Sequence, residues 1–142
     1  MLWQPSAERV AHSNISAFIK LVNKRWQAGV ADSNALYEWS VNQPEQFWTS
    51  VWDFCGVIGQ SRGERVLLDG DKMPGAQWFP DAQLNFAENL LRRRDDETAM
   101  VFWGEDKVRR RMSFADVYDA VSRTAQALSA AGVGQGDRVA AF

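Results

Sequence analysis

Histidine and cysteine are nearly absent from this sequence, which has one of each, His12 and Cys55. A single cysteine cannot form an internal disulfide. One histidine with one cysteine gives neither a metal-binding spacing nor a convincing Cys/His catalytic pair. We therefore interpret His12 as an exposed histidine and Cys55 as an inert, partly buried cysteine.

Long apolar runs and an excess of one charge are also lacking. No stretch approaches the ~20 apolar residues that span a bilayer, and the first residues lack the basic and then apolar pattern of a secretory signal. The net charge of −2 at pH 7 gives no reason to expect nucleic acid or an anionic membrane as a partner. These absences predict a soluble, cytoplasmic protein without either partner.

What is present is an ordinary globular composition with many tryptophans. The chain has 142 residues, 46% hydrophobic and 24% charged, which is enough for one domain with a real core. All seven tryptophans lie between Trp3 and Trp103. Because each tryptophan buries roughly 150–250 Å², we predict a core built on aromatic side chains in the first two-thirds of the chain.

Helical signals dominate the first half of the sequence. The predicted helix starts, marked by capping residues or by a first-turn proline, are Ser6, Ser13, Ser33 and Pro44. Gly29 is a natural stop for the second helix, and Gly56 for the fourth. Residues 62–80 are rich in turn signals and predict irregular chain with one short strand at 66–68, and residues 85–91 predict a short helix.

The pattern changes after the charged run at residues 92–97. Residues 99–103 and 108–112 predict a β-hairpin, and Ser113 predicts the start of a helix that ends at Gly132. Residues 138–142 predict an apolar strand that needs neighbours in a parallel sheet. We therefore predict an α+β fold with a helical leader domain over residues 1–94 and the start of a second, truncated domain over residues 95–142.

Two polar features invite a nucleotide-binding interpretation. Gly132, Gly134 and Gly136 resemble a phosphate loop, but they follow a helix and precede a strand, so a helix C-cap and loop is the better interpretation.

The arginines at 92–94 are compensated by the acids at 95–97, which predicts a solvated connection. Those at 109–111 are placed to protect a strand edge, with contact to a nucleotide as the alternative.

The sharpest local feature covers residues 75–91 and contains the sequence Trp-Phe-Pro-Asp-Ala-Gln-Leu-Asn-Phe-Ala-Glu-Asn-Leu at residues 78–90. Trp78 and Phe79 provide a hydrophobic anchor, Pro80 stiffens the turn, and the amides of Asn85 and Asn89 can bond nearby backbone. A ligand pocket is one interpretation, but a structural latch fits better because the segment has no titratable pair.

This stretch resembles the signature that precedes the catalytic domain of acetoacetyl-CoA synthetases. Upstream, residues 36–41 and 44–48 resemble the N-terminal segment shared by short-chain acyl-CoA synthetases. Downstream, residues 113–117, 131–133 and 136–139 are similar to the opening of the adenylate-forming domain. The three blocks stand in the family's order and cover nearly the whole chain, and the block at 78–90 is the most specific.

The resemblance implies the N-terminal part of an acetoacetate–CoA ligase that works in two steps. ATP and acetoacetate give an acyl-adenylate and pyrophosphate, and the thiol of coenzyme A (CoA) then displaces AMP, with Mg²⁺ bridging phosphate oxygens. The family's phosphate loop, nucleotide-binding aspartate, adenylation lysine and CoA contacts all correspond to positions beyond residue 142. The resemblance therefore gives no catalytic, cofactor-binding or metal-binding residue in this chain, and implies that the chain alone is inactive.

Other interpretations remain open at this point. Acetate or propionate are alternative substrates, because the acyl pocket has no counterpart in this segment. A stand-alone interaction module that shares the leader sequence is a further alternative. The partner expected in the first interpretation is the remainder of the catalytic domain.

Overall fold

The computed structural model describes residues 3–141, which fall into two compact units that divide between Asn85 and Phe86. The first unit contains α1 to α4 followed by β1 and β2, at Ala7–Ala11, Asn14–Trp26, Ser33–Asn42, Pro44–Phe54, Leu67–Leu68 and Gln77–Trp78. The second unit contains α5, β3, β4 and α6, at Phe86–Leu90, Thr98–Trp103, Arg109–Ser113 and Phe114–Ala130. Helices with small antiparallel sheets confirm the predicted α+β class.

Local capping signals set most of the helix starts. The hydroxyls of Ser6 and Ser13 accept hydrogen bonds from backbone amides three residues later, as predicted, and Pro44 occupies the first turn of α4. The third helix differs, because Asp32 rather than Ser33 is its cap and accepts from the Ala35 amide at 2.9 Å. A carboxylate at the cap also suits the positive end of the helix dipole.

The second helix ends earlier than the Gly29 stop predicts. It ends at Trp26, and Gln27 takes the left-handed conformation at φ 52°. The side chain of Asn23 then fastens the following loop, because its Nδ2 donates to the Val30 carbonyl at 2.7 Å and its Oδ1 accepts from the Val30 amide at 2.8 Å. A side-chain amide here replaces the backbone pairing that the loop lacks.

The core of the first unit is small and mainly aliphatic. Its buried hydrophobic residues are Phe18, Val22, Val30 and Leu36. The prediction of a core built on aromatic side chains is met only in part, because Phe18 is buried in the core while Trp26 and Trp39 pack against it half-buried. The polar end of Trp26 is satisfied, since its Nε1–H donates to the buried hydroxyl of Ser50 at 2.8 Å.

The strand predicted at residues 66–68 forms at Leu67–Leu68, and its partner was missed by the sequence analysis. Leu67 pairs with Trp78 and Leu68 with Gln77 in a two-stranded antiparallel sheet. A two-residue strand is too short for the alternating pattern that identifies strands in a sequence.

The hairpin and the helix of the second unit are confirmed. Across the hairpin, three successive apolar residues of β3 face three successive arginines of β4: Val101 with Arg111, Phe102 with Arg110, and Trp103 with Arg109. The guanidinium of Arg109 stacks 4.6 Å from the centre of the Trp103 ring. Arginine side chains can cover apolar surface with their stems while the charged group stays in water.

The strand predicted at residues 138–142 is not formed over residues 138–141, and Phe142 lies outside the described residues. A strand exists only when it has a hydrogen-bonding neighbour. Within the described part of the second unit, β3 and β4 pair only with each other.

Candidate functional site

The segment that begins at Trp78 is anchored by aromatic stacking on α4. The ring of Phe79 lies 4.9 Å from that of Trp52, and the ring of Trp78 lies 5.8 Å from that of Trp48. Phe79 has a φ of 45° and its amide donates to the Val66 carbonyl at 2.8 Å. Trp78 and Phe79 therefore form the predicted hydrophobic anchor within the first unit, although Trp78 remains 41% exposed.

Asp81, three residues after Trp78, is held by Arg65. The guanidinium forks onto both carboxylate oxygens, with Nε 2.9 Å from Oδ2. The hydrogen bonds from Arg65 lower the pKa of the Asp81 carboxyl. Gly63 makes this approach possible, because a Cβ at that position would lie 2.3 Å from the Cβ of Asp81.

A second aspartate, Asp53, joins three parts of the first unit. Its carboxylate accepts from Arg25 on α2 and, at 3.2 Å, from Arg62 in the loop after α4. Neither the Arg65–Asp81 pair nor this bridge was predicted, because the partners are separated by 9 to 28 residues along the chain. In both arrangements the carboxylate is paired with arginine within the first unit, which is typical of structural ion pairs.

The glycine loop after α6 is a helix C-cap, as predicted. The Gly132 amide donates to the Ser129 carbonyl and the Val133 amide to the Leu128 carbonyl, both at 3.0 Å, with Gly132 at φ 86°. The Gly134 amide donates to the carboxylate of Asp137 at 2.8 Å. An internal carboxylate therefore occupies the amide that a phosphate would need.

The single histidine and the single cysteine lie at helix ends in the first unit. His12 is exposed as predicted, with Nδ1 2.9 Å from the Glu8 carbonyl oxygen. Cys55 is exposed, so the prediction of partial burial is wrong. It is the C-cap residue of α4.

The arginine run at residues 92–94 makes ordered contacts with α6. Arg93 forks onto Asp95 at 2.9 and 3.0 Å and lies 4.1 Å from the centre of the Phe114 ring. Arg94 lies 3.8 Å from the centre of the Tyr118 ring. The predicted charge compensation is confirmed, but the segment is more than a solvated connection. Aromatic residues four apart on α6, beside an arginine run, were the signal that sequence reasoning missed.

Two concave surfaces lie on the second unit. An apolar one of about 620 Å³ on the hairpin is lined by Met100, Val101, Phe102, Val108, Arg110 and Met112. A polar one of about 200 Å³ is lined mainly by Arg110, Arg111, Asp116, Asp119 and Arg123. The polar surface carries both charge signs, so its chemistry does not select one class of ligand.

The described residues contain no group of three His, Cys, Asp or Glu side chains that would hold a metal ion. Over the same residues, 3–141, no helix is long and apolar enough to cross a membrane. The arrangement therefore supplies packing surfaces and internal ion pairs, and the sequence prediction that no catalytic, cofactor-binding or metal residue lies here stays a prediction.

Two family models match the chain and together reach from residue 33 to residue 142. The model described as acetyl-coenzyme A synthetase N-terminus matches residues 33–90, and the model described as AMP-binding enzyme matches residues 86–142. The two matches together make residues 33–142 similar to the adenylate-forming acyl-CoA synthetase family.

Within that family, the chain is similar from end to end to acetoacetyl-CoA synthetases. It is 49% identical to the acetoacetyl-coenzyme A synthetase of Rhizobium meliloti (strain 1021) over 99% of the chain and 22% of that protein. It is 30% identical to the acetoacetyl-CoA synthetase of Danio rerio over 100% of the chain and 21% of that protein.

A solved structure shows the same relationship. The acetoacetyl-CoA synthetase from Streptomyces lividans superimposes with a TM-score of 0.84 and 37% identity, over 97% of this chain and 22% of that one. The chain thus spans about a fifth of the length of the relatives that it matches. The comparisons confirm the family that the sequence blocks indicated.

Proposed function

We propose that this chain is the N-terminal part of an ATP-dependent acetoacetate–CoA ligase. The proposal rests on the similarity to acetoacetyl-CoA synthetases over 99% of this chain, and the superposition at TM-score 0.84 supports it. In the proposed reaction the acetoacetate carboxylate attacks the α-phosphorus of ATP and pyrophosphate leaves. The CoA thiol then attacks the acyl carbon, the thiol proton is lost, and AMP leaves.

The role of this chain in that reaction is architectural. We propose a leader domain over residues 1–94 and the opening of the AMP-binding domain over residues 95–142. The remainder of the catalytic domain is the partner, and it would bring the ATP and CoA sites. We propose that the Mg²⁺ of the ligase binds together with ATP in that remainder. We also place the enzyme in the cytoplasm and its product in lipid metabolism.

Acetate or propionate is the second candidate substrate. The match of residues 33–90 to the model described as acetyl-coenzyme A synthetase N-terminus supports this alternative, because the model is named for a synthetase of a shorter acid. The similarity to acetoacetyl-CoA synthetases over 99 to 100% of this chain favours acetoacetate.

A graft tests the architectural role directly. The matched N-terminal region of the Rhizobium meliloti enzyme is replaced by this chain, and pyrophosphate exchange is measured with acetoacetate, acetate and propionate. We expect exchange that depends on acetoacetate from the graft, and none from the truncated enzyme or from the 142-residue chain alone. A soluble, folded graft without exchange, or exchange by the chain alone, would contradict the proposal.

The graft reports whether this chain completes a ligase, and not which acid its own ligase uses. Pyrophosphate exchange with the three acids, measured on a longer protein that begins with this chain, decides the substrate. Preference for acetate or propionate there would replace acetoacetate by the second candidate.

A further inference from the structure

The four backbone amides at the start of α6, from Ser113 to Asp116, all donate hydrogen bonds. The first four amides of a helix have no partner inside it. Here Ser113 and Asp116 satisfy two of them through a capping box, in which the Ser113 amide donates to the Asp116 carboxylate and the Asp116 amide donates to the Ser113 hydroxyl.

The other two amides are satisfied from a distant part of the chain. The Phe114 amide donates to the Glu97 carbonyl at 3.1 Å, and the Ala115 amide donates to the Asp95 carbonyl at 3.0 Å. Residues 95–97 therefore act as a second cap, which the local sequence around α6 does not contain. Such a cap works only while residues 95–97 are held in place.

Arg93 and Arg94 make the contacts that would hold them there. Their guanidinium groups lie over Phe114 and Tyr118, two rings four residues apart on the same face of α6. Arg93 also forks onto the side chain of Asp95, whose backbone carbonyl is one of the two capping acceptors. On the preceding side, Arg92 Nε donates to the Asn89 carbonyl at 3.0 Å, which ties this segment to the end of α5.

We propose that Arg93 and Arg94 are positioning residues that clamp residues 95–97 onto the N-terminus of α6 and so join α5, β3 and α6 into one block. This inference stands independently of the proposed ligase function. It means that the arginine run is a fixed part of the second unit and not a hinge, although its composition is that of a flexible connection.

Hydrogen exchange of individual amides, measured by NMR on the 142-residue chain, tests the clamp. In Arg93→Gln/Arg94→Gln we expect the Phe114 and Ala115 amides to exchange about tenfold faster, because two stacking contacts are lost. The Asp116 amide, which depends on Ser113, should keep its rate. The matched control is Arg109→Gln, which removes an arginine stacked on Trp103 outside the clamp and should change none of these rates.

A second variant keeps the test decisive if the double variant unfolds. Tyr118→Leu retains every charge and removes one ring, and we expect about threefold faster exchange at Phe114 and Ala115. Rates within experimental error of the unmodified chain in either folded variant, or an equal increase in Arg109→Gln, would overturn the clamp.

Discussion

The two units of this chain achieve order by different means. The first unit buries Phe18, Val22, Val30 and Leu36 among three helices and satisfies the polar groups beside them. In the second unit, none of the residues 86–141 is buried, and its exposed apolar residues include Phe102 at 59%. The second unit instead relies on its cap, its clamp and its cross-strand arginine contacts. A buried core and a set of surface contacts respond differently to mutation, which makes the comparison testable.

The largest expected effect comes from one phenylalanine in each unit. Phe18 is 7% exposed and contacts Phe47 and Phe54 edge to face, at 5.9 and 5.2 Å between ring centres. Phe18→Ala should therefore lower the free energy of unfolding of the first unit by about 3–5 kcal/mol. Denaturant unfolding followed by tryptophan fluorescence measures it.

The matched change in the second unit is Phe102→Ala. Because this side chain is mostly exposed, its removal should alter the free energy of unfolding by less than about 0.5 kcal/mol. An equal loss of unfolding free energy in the two variants would show that the second unit has a core of its own. It would contradict the difference between the units described above.

A smaller effect is expected at the end of α6. Gly132→Ala puts a side chain on a residue at φ 86°, where a Cβ would contact no atom within 4 Å, so the cost is conformational and about 1 kcal/mol. Gly134→Ala is the control, since that residue is outside the left-handed region and a Cβ there would make only an ordinary contact, 4.0 Å from Asp137 Oδ2. Thermal unfolding by circular dichroism should separate the two, and a larger loss for the control would refute the C-cap assignment.

The smallest effect is a dependence of the second unit on pH. The Ser113 amide that donates to the Asp116 carboxylate lowers the pKa of this carboxyl, so the cap contributes stability above the unfolded-state value of about 3.9 and loses it as the pH falls through the lower folded-state value. An NMR titration of the Ser113 amide should show this transition below about pH 4. The transition should vanish in Asp116→Asn, and its persistence there would assign it to another group.

Sequence reasoning succeeded where the signal is local. Ser6, Ser13 and Ser113 each cap a helix by accepting from an amide three residues later, and Pro44 starts α4 because its φ is fixed near the helical value. It failed where the local structure depends on residues that are distant along the chain. The partner of β1 lies ten residues away, Arg65 and Asp81 are separated by 16 residues, and the exposure of the tryptophans depends on what packs over them. The strand at 138–142 shows the same limit, because an apolar run forms a strand only beside another strand.

The paired hydrogen bonds of Asn23 have a consequence for which sequences this loop tolerates. Asn23 both donates to and accepts from the backbone of Val30. An aspartate at this position would lack the donor, a leucine would lack both groups, and a glutamine would place its amide one methylene too far. At this half-buried position only asparagine can make both hydrogen bonds to Val30. Substitutions that α2 tolerates at other positions should therefore disrupt the loop when they are made at Asn23.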